Sequence, residues 1–344
     1  MKNKLFSIKK EEYRYVLNIF GIKLKINSLK LAIKSIKSMQ LQLKRSQIPT
    51  IYLANLTTEQ KIWYLSQKFY EEVGYYPDFK NPKSFNEKIN WLKLNYYNPV
   101  EDVCIDKYTM KEYINAKLGV GYVIPAIGVY EDVNDVDFEK LPNRFVIKVT
   151  TSGSGEGVEI VKDKNKLNID KLKYKFNNLL QEWNTIYYYC LSRGYKNIKP
   201  RIIIEEYIEQ VDKQLCDYKF MCFHGEPKWV LACSNRGKKI VYENHDLNWN
   251  LIIPSPKSSK KTTIARPQKF SEMFNIAKEL SKPFPFVRVD LYEVNGTIYV
   301  GELTFTPKGG FNYYYKNWDY KIGEWLDLSN LNSEYLNLAS KERK

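Results

Sequence analysis

Hydrophobic residues in the first third of the chain recur at helical spacing, and polar residues mark where the helices begin. Thr57-x-x-Gln60 and Ser84-x-x-Glu87 are capping-box patterns, in which two side chains satisfy backbone N–H groups at a helix start. With Asp106 as a third cap, these signals predict helices from Thr57 to about Val73, from Ser84 to about Asn95 and from Asp106 to about Gly119.

After residue 120 the pattern changes to short apolar runs separated by turn residues, which is typical of strands and hairpins. Strands are predicted at 145–149, 158–162, 201–208, 217–224, 228–234, 286–294 and 297–305. Helical stretches at about 169–192 and 270–281 interrupt them, and the Lys- and Ser-rich segment 236–262 is predicted to be a mobile loop. Strands and helices mixed in this order predict an α+β fold.

The N-terminal segment has a different character from the rest of the chain. Weak alternation over residues 5–26 predicts a small β-hairpin or meander, and 28–45 reads as a basic amphipathic helix. Residues 1–50 hold 12 Lys and Arg against 2 Glu, which is +10 of the net charge of +15. Two interpretations stay open: a solvated helix packed on the body, or an attachment to an anionic membrane surface.

Composition narrows the class of protein. The chain is 44% hydrophobic and 15% aromatic, which excludes a disordered polymer, and no apolar run is long enough to span a membrane. No signal peptide or nucleic-acid-binding motif is recognisable, so we expect a cytoplasmic protein without a nucleic-acid partner, peripheral on the inner face of the membrane if residues 1–50 attach there. Five cysteines without a C-x-x-C pair indicate free thiols, and two histidines are too few for a histidine-rich metal site.

The segment FVIKVTTSGSGEGVEIV, residues 145–161, carries the first candidate chemistry. Lys148 lies on an apolar strand that runs into the glycine-rich stretch 151–157. Glycines let backbone N–H groups approach phosphates, and a lysine adds a point charge. The alternative is an ordinary flexible hairpin with an outward lysine; neither a Walker A loop nor a protein-kinase signature is present.

Two further strands carry carboxylates. RIIIEEYIEQ, residues 201–210, is predicted as an apolar strand with two acidic residues near its end. The end of this strand can offer its backbone to an adenine edge and a carboxylate to ribose hydroxyls. FPFVRVDLYEVNGTIYVGELTFTP, residues 284–307, places Asp290 and Glu302 on two strands of one hairpin, a natural magnesium site. The alternative is a surface hairpin with scattered acids, but both acids are flanked by apolar residues, where an acid is seldom left unpaired.

The register of that hairpin decides whether the two acids meet. A two-residue Asn-Gly turn puts Asp290 and Glu302 on opposite faces, whereas a three-residue loop, Val294-Asn295-Gly296, puts them on one face. In the second case the site face holds Arg288, Asp290, Glu302 and Thr304, and the buried face holds Val287, Val289, Leu291, Tyr299, Leu303 and Phe305. A metal site therefore predicts the three-residue loop with a G1 bulge, against the local propensity.

In this order the motifs resemble the ATP-grasp superfamily, and most closely the teichuronopeptide-biosynthesis (TupA-like) ATP-grasp family of surface-polysaccharide gene clusters. The likeness covers about residues 60–328 and rests on NPKSFNEKINWLK, DKYTMKEYI, FVIK, IIEEYI, DYKFMCFHGEPK and FVRVDLYE…GELTFTPKGGF. It implies an α+β ATP-grasp fold, in which two subdomains clasp ATP. The expected divisions are a basic appendage at 1–50, a helical region at 51–140, a lid subdomain at 141–205, a C-terminal subdomain with the metal site at 206–330, and a tail at 331–344.

The resemblance also implies roles for particular residues. Lys107 and Lys148 contact ATP phosphates, and the lid over them is formed by Thr151, Ser152, Gly153, Ser154, Gly155 and Gly157. Adenine is held by Glu205, Glu206, Tyr207 and Ile208, and the ribose is reached by Glu205, Glu206 or Asp217. Arg288 steadies the transferring phosphoryl group, and Asp290 and Glu302 bind Mg²⁺. Thr304 stands where the superfamily often has Asn, which puts a second magnesium ion in doubt.

The implied reaction joins a carboxylate to an amine through an acyl phosphate, with ATP and Mg²⁺ as cofactors. The carboxylate is expected to be a uronic acid or an amino acid of a bacterial surface glycan, and Arg236 in the loop 236–261 to dock an anionic acceptor. One alternative is a glycosyltransferase that uses the D-x-D of Asp135 and Asp137. The other is a binding module that keeps the fold without turnover, which Thr304 favours.

Overall fold

The computed structural model describes residues 6–11, 14–19, 22–26 and 56–341, except for 154–156, 182–189, 210–214 and 235–239. The chain divides into two compact units, Met1–Leu56 and Thr57–Lys344. In the first unit, β1 (Phe6–Glu11), β2 (Arg14–Ile19) and β3 (Ile22–Ile26) form an antiparallel sheet in the order β1-β2-β3, which confirms the predicted meander. The amphipathic helix predicted for 28–45 lies outside the described residues.

The second unit begins with helices where the caps predict them. These helices are α1 (Thr58–Val73), α2 (Phe85–Asn95), α3 (Val100–Ile105) and α4 (Thr109–Leu118). Both capping boxes form, with Thr57 and Ser84 as the N-caps. Asp106 accepts hydrogen bonds from the N–H groups of Tyr108 and Thr109 at 2.8 and 3.1 Å, so it satisfies the first turn of α4. The short helix α3 was not predicted.

A four-stranded antiparallel sheet, the β4–β7 sheet, follows. Its strands are β4 (Ala126–Tyr130), β5 (Phe145–Val149), β6 (Val158–Val161) and β7 (Ile202–Glu206), in the order β4-β7-β5-β6. Helix α5 (Ile169–Gln181) packs Leu172 and Phe176 against Phe145 and Ile147. Strands β5 to β7 lie where the sequence predicts them, and β4 is an addition from the region expected to be helical.

The second sheet has six antiparallel strands, in the order β11-β10-β9-β8-β12-β13. They are β8 (Asp217–Phe223), β9 (Glu226–Ser234), β10 (Val241–His245), β11 (Leu251–Ile252), β12 (Phe286–Val294) and β13 (Thr297–Thr304). One face packs against α3, α4 and α6 (Phe270–Ser281) in the largest core cluster. A separate cluster joins Phe223 and Phe286 of the sheet to Phe85 of α2 and Ile322 of α7 (Lys316–Glu324), and α8 (Ser333–Lys341) ends the described chain.

The segment 236–262 is not the loop that its composition predicts, because β10 and β11 lie within it. Glu243 on β10 is fully buried, and its carboxylate accepts hydrogen bonds from the backbone N–H groups of Thr263 and Ile264 at 2.7 and 3.2 Å. His245 Nε2 lies 3.1 Å from the same carboxylate. Thr263 and Ile264 lie 20 and 21 residues along the chain from Glu243, so a local reading of a polar segment could not foresee these donors. Within the described residues, no helix is long and apolar enough to cross a membrane.

Candidate active site

The hairpin β12–β13 turns through two residues, so the predicted three-residue loop is wrong. Val294 pairs with Thr297, and Asn295 and Gly296 both have positive φ, 49° and 77°. This is the local propensity of Asn-Gly, since both central residues of such a turn need a left-handed backbone. With this turn alone, the two acids would lie on opposite faces of the sheet.

A bulge farther along the hairpin restores the site face. Leu291 pairs with Val300, but the next pair is Asp290 with Glu302, so Gly301 is the extra residue. Asp290 now directly opposes Glu302, and Arg288 opposes Thr304. Because opposed residues share a face, the four side chains lie on one face, as a metal site requires. The glycine inside a strand is the sequence signal that could have placed this bulge.

Gly301 is suited to the bulge because the ring of Tyr292 occupies the space of a side chain there. A Cβ atom on Gly301 would lie 2.3 Å from Tyr292 Cε2. The bulge also changes the buried face near the turn, where Ile298 and Val300 are buried and the half-buried Tyr299 pairs with Tyr292. The placement of Tyr299 in the buried face was therefore wrong. The other members of the predicted buried face are at most 7% exposed: Val287, Val289, Leu291, Leu303 and Phe305.

Asp290 is 1% exposed and surrounded by cations. The Arg288 guanidinium donates to both carboxylate oxygens, from Nε at 2.6 Å and from Nη2 at 2.8 Å. Lys219, directly across on β8, forms an ion pair with the same carboxylate. Burial opposes ionisation, but Arg288 and Lys219 outweigh it and hold the pKa of Asp290 below its usual value. The group is therefore a carboxylate at neutral pH.

Lys219 was missed from the sequence, although a lysine within the otherwise apolar run of β8 is the signal that marks it. Its Nζ also lies 3.3 Å from a carboxylate oxygen of Asp217, which is 1% exposed. Asp217 was predicted as a ribose ligand, and the structure places its carboxylate beside Lys219 on the site face. Glu302 is less enclosed: its side chain is 31% exposed and lies 3.4 Å from Arg288 Nη2.

The oxygen atoms of this face fit a magnesium ion that is shared with phosphates. Asp290 and Glu302 provide two carboxylates, and the buried Oγ1 of Thr304 has no hydrogen-bond partner within the described chain. Mg²⁺ takes oxygen ligands and usually combines one or two carboxylates with substrate phosphates and water. Among the described residues, no cluster of three or more His, Cys, Asp or Glu side chains could hold a metal by itself. The set therefore fits a shared ion better than a closed protein cage.

Replacing Thr304 tests whether its hydroxyl is a ligand. In Thr304→Val a buried hydroxyl without a partner becomes a methyl group, so the melting temperature is expected to stay the same or rise. If the hydroxyl binds Mg²⁺, the magnesium concentration for half-maximal nucleotide-dependent turnover should rise by about tenfold, the loss typical of weakening one ligand interaction. Thr304→Asn, which offers an amide oxygen, is the matched variant and should keep or lower that requirement. Equal magnesium dependence of all three proteins would exclude the ligand role.

A second cluster of charges joins the β4–β7 sheet to α4. Glu205 at the end of β7 is 3% exposed and accepts from two lysines, Lys148 on β5 and Lys111 on α4, the latter at 2.5 Å. Burial works against the charge of Glu205, but the two lysines hold its pKa below the usual value. Lys111 was missed, because its i+4 spacing from Lys107 shows only that both lie on one helical side.

Lys107 connects this cluster to the glycine-rich segment and to the metal face. Its Nζ donates to the Ser152 carbonyl at 2.6 Å, and its backbone N–H donates to the Thr150 carbonyl at 3.0 Å. Burial lowers the pKa of Lys107, the nearby charge of Lys148 acts in the same direction, and Glu302 opposes both. Lys107 therefore lies within electrostatic reach of Lys148 and Glu302, so residues of all three sequence signals meet here.

The remaining predicted nucleotide-binding residues differ in exposure. Thr151 and Gly157 are buried, Ser152 and Gly153 are half-buried, and Ser154 and Gly155 lie outside the described residues. A Cβ atom on Gly157 would lie 2.2 Å from Ser152 Oγ, so the two arms of the hairpin approach closely there. At the end of β7, Glu206 is exposed and Tyr207 and Ile208 are half-buried, with the Arg144 guanidinium 4.8 Å from the centre of the Tyr207 ring.

Two other predictions concern Asp135 and Asp137, for a glycosyltransferase, and Arg236, for docking of an anionic acceptor. Asp135 ends the short 3-10 helix Val133–Asp135, and both it and Asp137 are exposed. Asp137 pairs with Lys140 at 2.9 Å. This is the geometry of a solvated surface turn, and no observation favours a nucleotide-sugar site there. Arg236 lies outside the described residues.

Comparison with known proteins identifies the class of this fold. The model of the TupA-like ATP-grasp family matches residues 87–327, so the chain has the ATP-grasp fold. Because that match spans well over half of the sequence, the chain belongs to the TupA-like ATP-grasp family. A search of curated proteins found no match.

Several solved structures are similar to this chain at low sequence identity. A D-alanine–D-alanine ligase from Bacillus anthracis is 21% identical, with a TM-score of 0.38, over 70% of this chain and 67% of that one. The D-alanine–D-alanine ligase from Helicobacter pylori is 15% identical, with a TM-score of 0.37, over 71% and 70%. N5-carboxyaminoimidazole synthetase from Staphylococcus aureus, complexed with ADP, is 16% identical, with a TM-score of 0.33, over 59% of this chain and 44% of that one.

Proposed function

We propose that this chain uses Mg·ATP to phosphorylate a carboxylate and then transfers the acyl group to an amine, forming an amide. The observation that carries the proposal is the Gly301 bulge, which places Arg288, Asp290, Glu302 and Thr304 on one face. ATP supplies the phosphoryl group, and Mg²⁺ neutralises charge on the phosphate oxygens. A carboxylate needs such activation because oxide is a poor leaving group.

The acidic and basic residues of the site face would have different roles. Asp290, Glu302 and Thr304 would hold the metal, and Arg288 and Lys219 would be released in part from Asp290 to meet phosphate oxygens. Phosphoryl transfer depends on positioning and on charge neutralisation more than on a protein nucleophile. A site of lysines, one arginine and carboxylates suits that requirement.

The nucleotide would lie between the two sheets. Lys107 and Lys148 would contact its phosphates, and residues 151–157 would close over them and exclude water from the acyl phosphate. Tyr207 and Ile208 would hold the adenine. Since two lysines occupy the Glu205 carboxylate, the exposed Glu206 is the better candidate for the ribose.

The family resemblance supports a narrower substrate class. Its surface-polysaccharide setting favours a uronic acid or an amino acid that is built into a bacterial surface glycan. The strongly basic first 50 residues fit an enzyme that works close to an anionic membrane surface, where such glycans are assembled.

Release of ADP tests the proposal. The protein with Mg·ATP should release ADP only when an acid is present, with uronic acids and acidic amino acids offered against a set of amines. Lys148→Ala should weaken ATP binding by about tenfold or more, because it removes a charged contact and leaves the buried Glu205 with one lysine. Absence of nucleotide binding by calorimetry would refute the proposal. Release of nucleotide from a nucleotide sugar alone would favour the glycosyltransferase instead.

A further inference from the structure

A cleft adjoins the proposed reaction face. It lies between α2, α3, the 3-10 segment Arg193–Tyr195 and the ends of β12 and β13. Phe286 lies two residues before Arg288 on the same face of β12, and Thr306 follows two residues after Thr304; both line the cleft. Two residues of strand span about 7 Å, so the cleft begins one step from the Arg288–Thr304 pair.

Tyr195 links the cleft to the reaction face electrostatically. Burial and the charge of Glu302 raise the pKa of Tyr195, and Arg288 opposes them. The Tyr195 hydroxyl is therefore within reach of the charges that flank the proposed metal site. A substrate in this cleft would meet a carboxylate that is activated at Arg288.

The cleft is lined by the Glu101 carboxylate and by Arg193, whose charge favours the ionised form of that carboxylate. Glu101, on the first turn of α3, lines the cleft and is half-buried. No hydrogen bond to its carboxylate is present within the described chain, and Arg193 is the cation that acts on it electrostatically. Asp102 beside it accepts from the Tyr97 hydroxyl at 2.8 Å. A half-buried carboxylate without a hydrogen bond is suited to a cationic ligand.

The surroundings of Glu101 match that role. Burial and Asp102 raise the pKa of Glu101 to about 8, and Arg193 opposes them. The other titratable groups around the cleft are Cys104 on α3, Lys93 on α2, Tyr96 and Tyr97 directly after α2, and Tyr195. Burial lowers the pKa of Lys93 to about 7, so this lysine is not fully charged against an incoming cation.

We propose that the cleft is the amine subsite, in which the Glu101 carboxylate binds the ammonium group of the acyl acceptor and takes one of its protons. The inference rests on the proposed function, because it assigns the second substrate of that reaction. An amine is an ammonium ion at neutral pH and cannot attack until it loses a proton. A base whose pKa lies near the working pH is the most effective for that transfer.

The step balances in atoms and charge. One proton passes from the ammonium nitrogen to Glu101, and the freed lone pair forms the C–N bond to the acyl carbon. The C–O bond to phosphate then breaks. The second proton that the nitrogen loses leaves with the phosphate as HPO₄²⁻, and Glu101 returns its proton to solvent.

Hydroxylamine separates this step from formation of the acyl phosphate, because it is already unprotonated at neutral pH. The probes are D-glucuronate, D-galacturonate, L-glutamate and L-aspartate, offered with Mg·ATP and either hydroxylamine or ethylamine. Glu101→Gln should lower amide formation with ethylamine by about 100-fold or more, the lower range for loss of a general base. Hydroxamate formation should change less than threefold. Equal loss with both nucleophiles, or no loss with ethylamine, would overturn the assignment.

The pH profile gives a second readout. The rate of amide formation should rise with pH as Glu101 ionises, which gives the pH profile a rising limb. The rate of hydroxamate formation should lack this limb. Because Asp102 raises the pKa of Glu101, Asp102→Asn should move the limb to lower pH without abolishing activity. If the rising limb stays at the same pH in Asp102→Asn, Glu101 is not the base.

If none of the four acids is a substrate, binding of an ammonium ion without turnover tests the subsite. Ethylammonium chloride is titrated into the protein with Mg·ADP at pH 7, in buffers of different ionisation enthalpy. Glu101 is mostly protonated at that pH, so binding of the ammonium group should release close to one proton, and Glu101→Gln should release none. Binding without proton release, or no binding, would refute the subsite. Failure of Mg·ATP to bind would instead count against the proposed function.

Discussion

Replacement of Arg288 with methionine is expected to lower ATP-dependent turnover by about 10³-fold, the lower range for an arginine that stabilises a transferring phosphoryl group. ATP binding should change by only a few-fold, since Lys107 and Lys148 still meet the phosphates. The guanidinium contacts Asp290 through two nitrogen atoms and lies 3.4 Å from Glu302. Its planar fork can exchange a carboxylate for phosphate oxygens, which a thioether cannot.

Arg288→Lys keeps the charge without the fork and should recover part of the lost turnover. Arg266→Met is the matched control, because Arg266 is exposed and its guanidinium lies on the ring of Phe270, 4.2 Å from the ring centre. ADP release measured with saturating ATP compares the variants. If Arg288→Met keeps more than a tenth of the original rate, Arg288 does not take part in the reaction.

Replacement of Gly301 with valine is expected to abolish magnesium-dependent turnover by moving Glu302 away from Asp290. A side chain at this position meets the Tyr292 ring at 2.3 Å, so either the ring or the bulge must give way. A β-branched residue favours a regular strand, and a regular hairpin after the two-residue turn sends Glu302 to the opposite face. We expect a loss of at least about 100-fold in turnover, comparable to the loss of a preorganised charge at a reaction centre.

Tyr292→Ala provides the test of that mechanism. The single variant Tyr292→Ala should keep the bulge. The double variant Gly301→Val/Tyr292→Ala should recover part of the activity that Gly301→Val loses, because the ring no longer competes for the space. Magnesium-dependent ADP release and the melting temperature are measured together. Full activity of Gly301→Val would mean that the bulge does not create the site.

Local patterns determined much of this protein. The capping boxes at Thr57 and Ser84 place α1 and α2, because a helix start is satisfied by side chains only three residues apart. Short apolar runs bounded by turn residues place β5, β8 and β12, and the order of the motifs is enough to indicate the ATP-grasp family. These features depend on neighbours in sequence, so sequence alone can reveal them.

Tertiary structure decided the register of the site and the partners of its charges. The Asn-Gly turn followed its propensity, and the compensating bulge formed where the Tyr292 ring covers Gly301, a contact across two strands. Lys219 and Lys111 reach Asp290 and Glu205 from other elements, and Glu243 finds its donors about twenty residues away. A buried charge is stabilised by whatever the fold brings within hydrogen-bond distance of it. That distance is set in space by the packing of the sheets, so a one-dimensional pattern does not contain it.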